Sequence, residues 1–268
     1  MRINSSTAGR RRPAGRRHPL ASIALIAIGL MATGGAYALL SSTASAETTT
    51  ASEALIAEGY KVFTTNCATC HGMNAAGTAK GPSLYGVGAA SVDFQMGTGR
   101  MPLAMQGPQG AQRAPQFTQA QIDAVAAYVA SLAPGPAVPD EKYLDGNGNI
   151  STGGELFRTN CAMCHNVAGA GGALTEGKFA PALAGVEARH VYEAMVTGPQ
   201  NMPVFSDLNL TPQDKADIIS FLKYQDAHAS PGGIDLGGLG PVAEGLFIWI
   251  FGLGAIVGVT IWIAARPN

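Results

Sequence analysis

Four cysteines and two histidines carry the strongest chemical signal in this 268-residue chain. Cys67 and Cys70 precede His71, and Cys161 and Cys164 precede His165, so every thiol falls in one of two copies of C-x-x-C-H. Two residues between the thiols let one helical turn set both sulfurs along one edge of a flat macrocycle. The next residue then aims its imidazole at the centre. This is the attachment pattern of a c-type haem, in which the thiols add across two vinyl groups and the imidazole ligates iron. A structural zinc site would use the two cysteine pairs but would leave both histidines without a role. A thioredoxin-like reading lacks the strand–helix context.

A second axial ligand must come from elsewhere, and methionine or histidine is usual. Met101, in Arg100-Met101-Pro102, lies 30 residues after His71, and Met202, in Asn201-Met202-Pro203, lies 37 residues after His165. Both are expected to close the iron. Met96 and Met105 are rivals in the first copy. Met73 and Met163 sit too near the attachment site to reach the opposite face, and Met195 reads as helix core. His190 and His228 are expected at the surface, and His18 lies in a basic tail. Pro82 and Pro181 mark loops whose carbonyls would orient the proximal imidazoles. With both irons closed, neither haem offers a site for substrate, and no nucleophile–base pair stands out. Electron transfer is therefore favoured over catalysis.

These residues sit in an internal repeat with a constant offset of 94. Gly59-x-x-x-Phe63-x-Thr65-Asn66-Cys67-Ala68-x-Cys70-His71 matches Gly153-x-x-x-Phe157-x-Thr159-Asn160-Cys161-Ala162-x-Cys164-His165. Each copy reads as helix, loop, helix, with no alternating strand pattern, so the fold is expected to be mainly α. Thr152-x-x-Glu155 is read as a capping box opening the first helix of the second copy. Thr118-x-x-Gln121 and Thr211-Pro212 open the closing helices. Ile122, Val125, Val129 and Leu132 recur at helical spacing, as do Ile218, Phe221 and Leu222. Gly59 and Gly153, with Phe63, Phe157, Tyr128 and Phe221, suggest a close helix crossing. Asp145 to Asn149 mimics a calcium loop, but Ile150 and Leu156 stand where Gly and Glu are required, so a turn is expected.

Apolar residues make up 47% of the chain and charged residues 13%, which requires long uncharged runs. The basic tail, 1–19, holds six arginines and no acid, whereas 47–230 holds 16 acidic against 10 basic residues. The two stretches are expected in different compartments. Between them, 20–40 is uncharged and long enough to span a bilayer as a helix. It reads as a signal-anchor with a cytoplasmic N-terminus. Ala44-Ser45-Ala46 resembles a peptidase site, so cleavage stays open, and the middle of the chain is exported either way. The expected order is then a cytochrome domain at 53–132, a connector at 133–150, a second domain at 151–229 and a second membrane helix at 242–265. Nothing points to nucleic acid as a partner.

Each copy resembles a class I cytochrome c, with its C-x-x-C-H, Pro-containing loop, distal Met and closing helix. The chain from about residue 20 onward is similar to the dihaem cytochrome c subunits of actinobacterial cytochrome bc1 complexes. The most specific stretches are Val92-Asp93-Phe94-Gln95-x-Gly97-Thr98-Gly99-Arg100-Met101-Pro102, Thr197-Gly198-Pro199-Gln200-Asn201-Met202-Pro203-Val204-Phe205 and Gly237-Gly238-Leu239-Gly240-Pro241. The resemblance implies two covalent haem c groups at the plasma membrane and electron flow from menaquinol through a Rieske iron-sulfur centre. It also implies a cytochrome b partner and a terminal haem-copper oxidase as acceptor. The alternatives are a cytochrome subunit of a periplasmic-type dehydrogenase and a dihaem peroxidase with one open iron.

Overall fold

The computed structural model describes residues 19–41, 52–105, 107–228 and 241–265. The basic tail with His18, the Ala44-Ser45-Ala46 stretch and the Gly-rich stretch before Pro241 lie outside the described residues. The chain divides into two compact units, 1–49 and 50–268. Of the first, α1 (Pro19–Ser41) is described, a helix of 23 residues without an acidic first turn or a basic last turn.

Each repeat of the second unit folds as a long helix, a one-turn helix, a short helix and a closing helix. In the first these are α2 (Glu53–Asn66), α3 (Ala68–His71), α4 (Gly88–Gly97) and α5 (Gln119–Leu132). In the second they are α6 (Ile150–Asn160), α7 (Ala162–His165), α8 (Ala188–Thr197) and α9 (Pro212–Ala227). Two residue pairs, Gly172–Ala173 and Phe179–Ala180, form a small antiparallel ribbon (β1 and β2) after α7. The chain ends in α10 (Pro241–Phe247), a π-helical segment (Ile248–Leu253) and α11 (Gly254–Ala264). Among the described residues, Ala243–Ala264 is the helix long and apolar enough to cross a membrane.

The first and last helix of each repeat cross where only glycine fits. A Cβ at Gly59 would stand 1.9 Å from the Ala124 carbonyl oxygen, and one at Gly153 would stand 1.9 Å from that of Asp217. Backbone-to-backbone contact brings the aromatic rings beside it together. Phe63 meets Tyr128 at 5.1 Å between centroids, and Phe157 meets Phe221 at 5.5 Å. Phe63 and Phe157 are completely buried. Val62, Ile122, Val125 and Val129 fill out the first core, and Tyr192, Met195, Ile218, Ile219 and Leu222 fill out the second.

The closing helices start as their sequences predict. Thr118 Oγ1 accepts from the Gln121 amide while Gln121 reaches back to the Thr118 amide. Thr211 does the same with Asp214, and Pro212 takes the first helical position. The start of α6 differs. Asn149, not Thr152, is the cap, its Oδ1 accepting from the amides of Ser151 and Thr152 at 3.0 and 3.1 Å. The Asn149 amide donates to Asp217 Oδ1 at 2.8 Å, and the Gly148 amide donates to Ser220 Oγ at 2.8 Å. The closing helix thus fixes where the opening helix begins. Before it, the Asn147 amide donates to Asp145 Oδ1 at 2.8 Å, the expected turn.

The helix, loop, helix reading missed α4, and of α8 it placed only Met195 in a helix. Gly88, Ala90, Val92, Asp93, Phe94 and Met96 of α4 are all buried, because α4 packs on α5 on one side and on α8 of the other repeat on another. A helix covered on two sides loses the single apolar stripe that periodicity detects. The connector also packs. Ala90 donates to the Pro136 carbonyl at 3.1 Å, Leu144 is buried in the second core, and Tyr143 stacks on Tyr192 at 6.0 Å.

Candidate haem crevices

The two C-x-x-C-H segments are built alike. Cys67 and Cys161 end the first helix of their repeats, their amides donating to Phe63 and Phe157 at 2.8 Å. The next turn brings the histidine amide back to the first cysteine carbonyl, at 3.0 Å for His71 and 2.9 Å for His165. The chain then reverses through a left-handed residue, Gly72 (φ 79°) or Asn166 (φ 66°). Asn is among the few residues with a side chain that tolerate this conformation. Burial, with the second cysteine alongside, pushes the free Cys67 and Cys161 thiols up to about 11.

Both proximal imidazoles are oriented from behind. Nδ1 of His71 lies 2.8 Å from the Pro82 carbonyl oxygen, and Nδ1 of His165 lies 2.9 Å from that of Pro181. A carbonyl only accepts, so Nδ1 carries the proton and Nε2 keeps its lone pair. Burial also lowers the pKa of His165, which favours the neutral ligand form.

In the second repeat a cavity of about 270 Å³ opens between these parts. Cys161, Cys164, His165 and Met202 all line it, with Phe157, Leu183, Ile218 and Leu222 as apolar wall. Its fit to a flat, largely apolar macrocycle rests on this wall, on the lone pair of His165 and on one orphaned polar atom, Arg100 Nη1. In the first repeat Cys67, Leu84 and Met101 each pack against the core that holds Met96. Met96 is buried inside that core, and Met105 is 74% exposed. Met195 is also core, as expected.

His190 is not a surface residue. It stands edge-on to Phe94 of the first repeat at 6.2 Å, and Gly97 leaves the room its ring takes, since a Cβ there would lie 2.7 Å from Nε2. Burial lowers its pKa. His228 is exposed, at the end of α9.

Sequence reasoning also missed a buried polar cluster between α4 and α8. Ligating atoms of Asp93, His190 and Glu193 lie within 4.8 Å of one another. Asp93 accepts from Gln119 at 2.9 Å and faces Arg189 at 3.6 Å, and Arg189 pairs with Glu141 at 2.8 Å. Glu193 is fully buried. Burial, and then the neighbouring Asp93 carboxylate, push its pKa up to about 10. A proton on Glu193 removes the repulsion between two buried carboxylates and leaves Asp93 facing Arg189. The legible sign was an acid set among apolar neighbours, as in Val92-Asp93-Phe94 and Tyr192-Glu193-Ala194-Met195.

The sequence matches the family described as cytochrome c over residues 56–133. Residues 148–222 match the family described as cytochrome C oxidase, cbb3-type, subunit III. The cytochrome bc1 complex cytochrome c subunit of Mycobacterium bovis is 44% identical over 274 residues, covering 99% of this chain and 97% of the relative. That of Corynebacterium efficiens is 46% identical over 230 residues, covering 80% and 78%. A cbb3-type cytochrome c oxidase subunit, FixP of Sinorhizobium medicae, is 32% identical over 41% of this chain and 38% of its own. With two cytochrome c domains in tandem and relatives of this kind along almost its whole length, the chain belongs to the family of cytochrome bc1 complex cytochrome c subunits.

Proposed function

We propose that Cys67 and Cys70 hold one haem and Cys161 and Cys164 the other, with His71 and Met101, and His165 and Met202, as axial ligands. The chain is a dihaem electron-transfer subunit of a bc1-type quinol–cytochrome c reductase. The observation that carries the site assignment is the meeting of Cys161, Cys164, His165 and Met202 on the wall of one apolar cavity. When bound, the haems supply one-electron couples, and methionine ligation sets them at high potential.

The protein's own share is orientation and exclusion of water. The Pro82 and Pro181 carbonyls hold the imidazole N–H groups, which fixes the tautomer and makes Nε2 a better donor. The apolar wall lowers the local dielectric, which stabilises the less charged, reduced iron. The Met202 amide donates to the Pro199 carbonyl at 3.1 Å, and the Met101 amide to that of Gln95 at 2.9 Å, so each methionine loop is anchored in its own repeat.

The domain limits proposed are 53–132 and 151–229, joined by 133–150. The 20–40 segment and the 242–265 helix anchor the chain in the plasma membrane, with the haem domains outside. Its partners are a cytochrome b, a Rieske iron-sulfur protein as donor and a haem-copper oxidase as acceptor. Support for this placement comes from the apolar Ala243–Ala264 helix and from the family. Purification of the native complex tests it. The subunits identified should include a cytochrome b and a Rieske protein, and this polypeptide should carry the mass of two haems. A preparation lacking those partners overturns the placement. Met101→His and Met202→His should each remove half of the sulfur-to-iron charge-transfer absorption, and an unchanged band overturns the ligand assignment.

A further inference from the structure

Arg100 immediately precedes Met101, yet its side chain faces the other repeat. It lines the second cavity together with Phe94, Thr98 and His190. Its residue is 7% exposed, and Nη1 has no hydrogen-bond partner among the described residues. Its carbon Cζ lies 4.8 Å above the Phe94 ring, which holds the guanidinium against the cavity wall. Lys215 shows how this fold otherwise treats a buried cation. It is completely buried and donates to Asp207 at 2.7 Å and to the Leu210 carbonyl at 2.6 Å. A charged group with a nitrogen buried and unpartnered is costly, which favours an anion beside it. A planar guanidinium fork suits a carboxylate above other partners.

The loop that follows Arg100 is hydrogen-bonded to the second repeat. Gly110 of the first repeat exchanges hydrogen bonds with the Gln200 side chain at 3.0 and 3.2 Å, and Gln109 does so with the Phe179 backbone at 2.9 and 2.8 Å. These contacts fasten the first repeat's loop to the methionine loop and ribbon of the second. The residue matching Arg100 in the second repeat is Asn201, which is neutral. The cation therefore serves one crevice of the two.

The only dianionic edge that a c-type haem offers is its pair of propionates. From the cavity, the orphaned Nη1 and the fastened interface we infer that Arg100 of the first repeat is the propionate partner of the second repeat's haem. This inference rests on the haem assignment above. It makes Arg100 a positioning residue that spans the repeats: its charge favours the reduced form of the second haem. Without it, a buried carboxylate would stand unpaired and favour the oxidised form.

The test is a spectroelectrochemical titration of the full-length protein with both haems in detergent. Met202→His lowers the second haem's midpoint and so identifies its wave. Arg100→Gln is expected to shift the second haem's reduction equilibrium roughly tenfold toward the oxidised form, about 59 mV for one electron. The first haem should move less. Arg100→Lys keeps the cation, secures haem loading should Gln impair it, and should shift the second midpoint by less than half the Gln value. A second midpoint that ignores Arg100→Gln, a shift confined to the first haem, or a Lys variant shifted as far as Gln would each overturn the inference. A Met202→His control that moves neither wave would instead overturn the ligand assignment.

Discussion

Replacing Glu193 with Gln keeps the shape of the side chain and removes its acid. In the folded chain the carboxyl is buried against Asp93, with its pKa raised from 4.5 to about 10. Between those values the folded state retains a proton that the unfolded state has released. Stability therefore falls as pH rises through this window, by roughly 1.4 kcal/mol per pH unit for one proton. This contribution is complete below the unfolded pKa and is lost progressively above it. From pH 5.5 to 7.5 the loss is about 2.7 kcal/mol. Glu193→Gln carries no such penalty. Its stability relative to the parent should rise across that range, with the gap widening at each step. Denaturant unfolding of the haem-loaded protein at pH 5.5, 6.5 and 7.5, followed by Soret absorbance, reads this directly. A difference that stays constant with pH would show Glu193 to be ionised in the fold and would refute the reasoning.

Gly59→Ala and Gly153→Ala should each cost about 3 kcal/mol or more, because a methyl group 1.9 Å from a backbone oxygen forces the helices apart. Denaturant midpoints and haem retention check this, and a neutral Gly153→Ala would contradict the crossing. Asn149→Ala should cost about 1 kcal/mol through loss of the α6 cap, while Thr152→Ala should change stability by less than half of that. Equal effects would return the cap to Thr152. Cys161→Ser with Cys164→Ser should leave a polypeptide bearing the mass of a single haem, and a mass with two would contradict the attachment assignment.

The haem-facing parts of the fold were readable because their chemistry is local. Two thiols, an imidazole and a glycine at fixed spacing fall within a few turns, and the 94-residue offset repeats them. Caps at Thr118 and Thr211 were readable for the same reason. What was not readable depends on what lies across an interface. Met101 stands out in the sequence by its Met-Pro match to Met202, but nothing in the sequence shows that its rival Met96 is enclosed in the core. His190 looked like a surface residue because nothing nearby in the chain announces Phe94 and Gly97, which surround it. Nothing local in the sequence shows that Arg100 is buried against Phe94 beside the second repeat's cavity. Asn149 outcompetes Thr152 as a cap because Asp217, 68 residues away, holds its backbone.

The acid at the centre of α8 also bears on how this tandem can be inherited. Two copies of a small unit in series would ordinarily remain separable, each able to fold when cut from the other. Here the second copy carries a buried carboxyl that sits against a helix of the first, and the first carries an arginine that lines a cavity of the second. Separating the two copies would remove His190 from the Phe94 ring and Asp93 from beside Glu193. The pair has become one indivisible piece, gained or lost whole.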